Sequence, residues 1–141
     1  MQEVKVNGII EADAEKVWEL AGDFSRLDSF VEAIADCSSD GKESGAIRTL
    51  TLQDGSKVKE KLQSINHENH TLNYSIVESE MPIKNYVGTM QVKDLGNNRS
   101  EFTWSSEFRS ENGQEEEMKQ ALEGLYSLGM EGLQNHFKSG G

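Results

Sequence analysis

The chain ends in one long amphipathic segment, and that segment dictates what the remainder must do. Between residues 112 and 138, Met118, Leu122, Leu125, Leu128, Leu133 and Phe137 recur close to the spacing of one helical face. Asn112 and Gly113 suit a helix start. Glu115 stands three residues after Asn112, as in a capping box, and Glu116 and Glu117 suit the positive end of the helix dipole. Lys138, Gly140 and Gly141 mark the stop. Three glycines, Gly124, Gly129 and Gly132, interrupt the interior, each costing roughly 1 kcal/mol relative to alanine. They imply either a close approach of another backbone or space left beside the helix. The reading adopted is a curved sheet wrapped around this helix, with a ligand-sized gap between them.

The 141 residues fit a single domain, 1–141, able to bury roughly two thirds of its unfolded surface. A net charge of −11 argues against nucleic acid and anionic membrane surfaces as partners. The lone cysteine, Cys37, rules out an internal disulfide. No charged start followed by an apolar run occurs near Met1. No apolar run approaches the roughly 20 residues needed to span a bilayer. The expectation is a cytoplasmic protein, monomer or homodimer, without stable membrane insertion.

The segment 4–10 reads as a strand with Val4, Val6 and Gly8 on one face. A short helix follows, with Asp13 as N-cap, Glu15 in its first turn, Val17, Trp18, Leu20 and Ala21 on its apolar side, and Gly22 at its end. A second short helix is predicted over 25–34, from the spacing of Leu27, Phe30, Val31 and Ile34. Strands are then predicted at 34–39, 46–52, 57–65, 71–79, 85–95 and 99–109. Turn signals separate them at Asp40-Gly41, Asp54-Gly55, Asn66 to Asn69, Met81-Pro82 and Gly96-Asn97-Asn98. Sequential strands joined by short loops imply an antiparallel meander.

Side-chain parity sharpens this reading. Phe102, Trp104, Ser106 and Phe108 share a face, as do Tyr86, Gly88, Met90 and Val92; Leu72, Tyr74 and Ile76; Val58, Glu60, Leu62 and Ser64; and Arg48, Leu50 and Leu52. Paired residues lie on one face, so all-even inner positions demand odd-length loops. The Asp54-Gly55 pair should therefore sit in an odd loop with Gly55 or Ser56 in a bulge, not in a two-residue hairpin. The opposite face, with Lys57, Lys59, Lys61, Thr49, Thr51, Gln91 and Lys93, is solvated. The inner face mixes core residues with Arg48, Glu60, Tyr74, Tyr86, Trp104 and Ser106. A dry core does not readily hold an arginine and a glutamate; a lined cavity with a few placed polar groups does.

This order of elements resembles the helix-grip fold of the START-like or Bet v 1-like (SRPBCC) superfamily: α+β, with a seven-stranded curved antiparallel sheet around a long C-terminal helix and two short helices after the first strand. Nearly the whole chain is covered. Blocks similar to the polyketide cyclase/dehydrase branch are Lys16-Val17-Trp18 with Asp23-Phe24, Gly45-Ala46-Ile47-Arg48, Glu60-Lys61-Leu62, Tyr74-Ser75-Ile76-Val77-Glu78, Met81 through Tyr86, Phe102 through Ser106, and Leu125-Tyr126 with Gly129 and Leu133. The resemblance implies a hydrophobic ligand cavity with no cofactor and no metal. It does not imply one reaction, since the superfamily includes lipid carriers, aromatase/cyclases and plant hormone receptors. Val58 to Leu62, the segment 80–83 and Tyr86 are similar to blocks of the plant abscisic acid receptors. Ala35 falls where those receptors carry a lysine for the hormone carboxylate, and Gln53-Asp54-Gly55-Ser56 is shorter than their gate loop. A gated cavity is implied, rather than that hormone.

The candidate ligand-binding set is Arg48, Glu60, Leu62, Tyr74, Tyr86, Trp104, Ser106, Met118, Leu122 and Leu125. Arg48 and Glu60 read either as a polar anchor or acid/base pair, or as a structural ion pair at a partly wet rim. The aromatic residues either line a pocket or are core residues with a satisfied polar tip. No histidine is placed to make Ser106 a nucleophile. His67, His70 and His136 read as solvated rather than as metal ligands, and Cys37 as a small core or sheet residue without a basic neighbour. Three functions follow: binding of a small hydrophobic molecule or lipid, entering past the Asp54-Gly55 and Pro82 loops; a cyclase/dehydrase-type enzyme using the same cavity; or an interaction or assembly factor without a ligand.

Overall fold

The structure, a computed structural model, describes residues 1–110 and 113–139. Seven antiparallel strands form one sheet: β1 (Gln2–Ile10), β2 (Ile34–Ser39), β3 (Ile47–Leu52), β4 (Lys57–Asn66), β5 (Thr71–Ser79), β6 (Ile83–Gly96) and β7 (Arg99–Ser110), in the order β1-β7-β6-β5-β4-β3-β2. Helix α1 (Ala14–Ala21) and a 3-10 turn at Leu27–Ser29 lie between β1 and β2, and α2 (Glu115–Ser139) closes the chain. This is the helix-grip arrangement. The first strand pairs with the last, Val4 opposite Ser106 and Gly8 opposite Phe102.

The second short helix is much shorter than 25–34. Asp23 Oδ1 accepts from the Ser25 backbone N–H at 3.0 Å and from its hydroxyl at 2.7 Å, so the chain leaves α1 through a side-chain-capped turn. Mostly three-residue steps follow, Ser29 N–H to Arg26 and Phe30 N–H to Leu27, with a single four-residue step from Val31 N–H to Leu27. Leu27, Phe30, Val31 and Ile34 are nevertheless all buried, so the apolar spacing was met by a tighter path.

The β3–β4 loop is odd, as parity requires. Arg48 pairs with Glu60 and Leu50 with Val58, Leu52 N–H reaches Ser56 O at 2.8 Å, and Gly55 takes a φ of 89° that favours glycine. The rule fails elsewhere. The β6–β7 connection is a two-residue turn, with Asn97 and Asn98 at φ 54° and 58°, and an irregularity between Asp94 and Gly96 restores the register. In β4–β5 the pairing shifts between Lys59 and Glu60 and again between Leu62 and Ser64. The second shift turns Ser64 outward, contrary to the inner position assigned to it, and pairs Ile65 with Leu72. Bulges of this kind leave no mark in apolar patterning.

Helix α2 buries Leu122, Tyr126, Met130 and Leu133 against the sheet. Leu128, assigned to that face from its spacing, is 42% exposed on the far side; Tyr126 and Met130 take its place. The start assigned to Asn112 and the stop assigned to Gly140 and Gly141 lie outside the described residues. The first helical hydrogen bond runs from Met118 N–H to Gln114 O at 3.0 Å. Two of the three glycines mark close approach rather than open space. At Gly132 a Cβ would overlap the Phe30 carbonyl, and at Gly129 it would press on the Trp104 ring and Val31. Only Gly124 faces nothing.

Candidate functional site

Between the concave face of the sheet and the first half of α2 lies a cavity of about 390 Å³. Its walls are mostly apolar: Leu27, Ala33 and Ile34 from the segment after α1, Leu50, Leu52, Val58 and Ile76 from the sheet, and Met118, Ala121, Leu122 and Leu125 from α2. The polar groups in the wall are few: Glu60, Tyr74, Tyr86, Trp104 and Tyr126, with Gln53 and Asp54 from the β3–β4 loop. Met81, from the β5–β6 connection, also lines it.

Glu60 is held from behind. Arg48 Nε donates to Glu60 Oε1 at 2.8 Å and Nη2 lies 2.6 Å from the same oxygen. Arg48 Nη1 donates to Phe24 O at 3.3 Å, and the guanidinium carbon sits 4.1 Å from the Phe24 ring centre and 5.0 Å from that of Tyr74. The pair is buried, Arg48 wholly and Glu60 with a small exposure to the cavity, rather than set at a wet rim. Burial pushes the Glu60 carboxyl above its ordinary value, against the opposing pull of Arg48. Arginine keeps its proton under all ordinary conditions, so the carboxyl beside it is the acceptor of an ion pair.

The aromatic residues form a second polar unit. Trp104 Nε1 donates to the Tyr74 hydroxyl at 2.8 Å, the Tyr74 and Tyr86 hydroxyls are 2.9 Å apart, and the Tyr86 hydroxyl bonds that of Tyr126. The Trp104 and Tyr126 rings stack with centres 4.2 Å apart. Tyr74 crosses the strand below because its partner there is Gly88, where any Cβ would overlap its ring. Burial, reinforced by the neighbouring phenols and Glu60, pushes Tyr74 and Tyr86 well above the ordinary phenol value. Burial likewise takes Tyr126 up to about 12. All three therefore stay protonated at any physiological pH and act as hydrogen-bond groups, not as bases.

Of the ten candidate residues, seven stand in the cavity wall: Glu60, Tyr74, Tyr86, Trp104, Met118, Leu122 and Leu125. Arg48 lies behind Glu60. Leu62 is wholly buried in the core and does not reach the cavity wall. Ser106 is buried with its hydroxyl facing Tyr126, although it makes no well-formed hydrogen bond. Tyr126 was missed as a site residue, although it lies four residues after Leu122, a helical step that places it on the same face. His70 was read as solvated but is buried: a left-handed turn residue, φ 53°, it folds its ring onto Trp18 with centres 5.5 Å apart. His67, exposed, accepts from Trp18 Nε1 at 3.0 Å. Among the described residues no group of three or more His, Cys, Asp or Glu side chains could hold a metal ion, and no helix is long and apolar enough to cross a membrane.

A curved sheet gripping a helix around a largely apolar cavity with a few convergent polar groups defines a helix-grip protein built to bind a ligand. The chain belongs to the family described as polyketide cyclase / dehydrase and lipid transport, whose model matches residues 1–138. It is similar to the solved structure of the protein XoxI from Bacillus cereus: 30% identity, a TM-score of 0.90, and coverage of 97% of this chain and 96% of that one. An uncharacterised protein from Bacillus thuringiensis is 32% identical with a TM-score of 0.87, over 96% of this chain and 98% of that one. The Zhui aromatase/cyclase from a Streptomyces species shares 12% identity and a TM-score of 0.81, over 97% and 93%, a likeness of fold alone. No protein of curated function matches the sequence.

Proposed function

We propose that this protein binds a small, largely apolar molecule between the sheet and α2, as a carrier or sequestering domain. The observation that carries this reading is the cavity wall: about 390 Å³ enclosed by aliphatic and aromatic side chains, with one carboxylate and a chain of phenols as its buried polar groups. That volume falls within the roughly 300–1,000 Å³ of small-molecule sites. The family's own description, which includes lipid transport, supports it. The ligand would enter between the β3–β4 loop and the β5–β6 connection, and lie along Met118, Leu122 and Leu125. Titration with the apolar fluorophore N-phenyl-1-naphthylamine tests this, read by energy transfer from tryptophan. Saturable binding of one probe per chain is expected; a signal that rises without saturating contradicts it.

A second reading, a cyclase- or dehydrase-type reaction in the same cavity, draws on Glu60. It is the carboxylate of the deep wall, and burial raises its proton affinity, which suits a general base. The tyrosines would orient a carbonyl. If a turned-over substrate is identified, Glu60→Gln should abolish turnover while leaving binding measurable; unchanged turnover removes Glu60 from that role.

A further inference from the structure

We propose that the cavity selects neutral molecules carrying a hydroxyl or phenol group and rejects carboxylic acids of the same shape, an inference that rests on the binding function above. Arg48, the cation nearest the deep wall, is already ion-paired with Glu60, although its Nη2 makes no well-formed hydrogen bond. Two of its nitrogens lie on Glu60 Oε1 at 2.8 and 2.6 Å and the third donates to Phe24 O. Its guanidinium is packed between the Phe24 and Tyr74 rings. At 2% exposure, and absent from the cavity wall, it is closed to a ligand carboxylate. Glu60, by contrast, does form the wall, and among the described residues only Oε1 meets a protein donor. Oε2 is therefore the acceptor presented to a ligand. An O–H group meeting it forms a charge-assisted hydrogen bond; a carboxylate meets like charge in a site shielded from water. The other charged residue of the wall, Asp54 in the β3–β4 loop, is also acidic.

The tyrosine chain agrees with this assignment. Trp104 Nε1 can only donate, so Tyr74 accepts from it, and the hydroxyl protons are shared along Tyr74, Tyr86 and Tyr126. This end of the cavity offers a ligand dipoles but no positive charge to neutralise an anion.

Equilibrium dialysis of the full chain near neutral pH against four probes on one ring system tests the inference: naphthalene, 2-naphthol, 2-naphthoate and 2-naphthylmethylammonium. The naphthol should bind more tightly than naphthalene, and about tenfold or more tightly than the naphthoate. Naphthoate binding as tightly as naphthol, or the ammonium binding more tightly than it, overturns the proposal. Naphthalene matching naphthol overturns the hydroxyl preference but leaves the cavity reading standing, whereas failure of all four overturns both. In Glu60→Gln the amide N–H replaces Oε2 and Arg48 loses its counter-ion, so the ranking should move toward naphthoate by about tenfold; an unchanged ranking overturns the role of Glu60. Should that variant fail to fold, the wild-type ranking decides alone.

Discussion

The Arg48–Glu60 pair shows why a single buried charge is informative. Removing one member of such a pair strands the other in a low-dielectric interior, at about 3–5 kcal/mol. Arg48→Met should therefore lose about 3 kcal/mol or more in urea unfolding near neutral pH. The sign of the pH dependence follows from Glu60. Burial already raises its carboxyl above the ordinary 4.5, and without Arg48 nothing opposes that rise. A group raised in the folded state holds protons that the unfolded chain releases, so the variant gains stability as pH falls toward the ordinary value. The deficit should narrow on acidification; a deficit independent of pH would contradict the pairing. In the phenol chain, Tyr86 touches two hydroxyls and Tyr126 stands at the end. Tyr86→Phe should cost more than the roughly 1 kcal/mol expected for Tyr126→Phe, measured the same way. Arg48, Glu60, Tyr74, Tyr86 and Trp104 were legible from parity because a charge or an amphipathic ring on a core face has few explanations. Ser106 was placed on the inner face by the same parity and is buried there, whereas Ser64 was not legible: a serine suits either face, and nothing in the residue spacing announces the bulge after Leu62.

Among the elements, α2 carries opposite demands along its length. Gly132 lies where α2 meets the Phe30 carbonyl, whereas Gly124 faces open surroundings. Gly124→Ala should stabilise the protein by up to about 1 kcal/mol through helix propensity. Gly132→Ala gains the same propensity but must push backbone from backbone, and should lose about 2 kcal/mol net. Chemical denaturation of the two variants checks the pair; the same sign for both would contradict the close crossing at Phe30. The existence of α2 and of seven strands was legible because length and period are strong signals. The short second helix was not, since Leu27, Phe30, Val31 and Ile34 are buried whether the chain coils loosely or tightly. The helix's facing was partly misread at Leu128, because a leucine and a tyrosine two residues apart compete for one stripe, and packing against Trp104 decides for Tyr126.

At the scale of the molecule, the sheet and α2 leave a cavity at the end where Met118, Leu122 and Leu125 lie. The same two elements close tightly at the end where Gly129 and Gly132 lie. That division was not readable beforehand. The inner-face residues were identifiable, but a volume is the small difference between wall spacing and side-chain bulk, and no periodicity encodes it. The glycines left contact or space open, and Gly129 and Gly132 mark contact while Gly124 faces open surroundings. The most direct test of a ligand cavity is to fill it. Leu125→Trp should plug the cavity from α2, while Leu128→Trp, on the 42% exposed side of the same helix, serves as the matched control. In a titration with N-phenyl-1-naphthylamine, Leu125→Trp should bind at least about tenfold more weakly and Leu128→Trp as the wild type does. Equal binding by both variants and the wild type would contradict a ligand cavity.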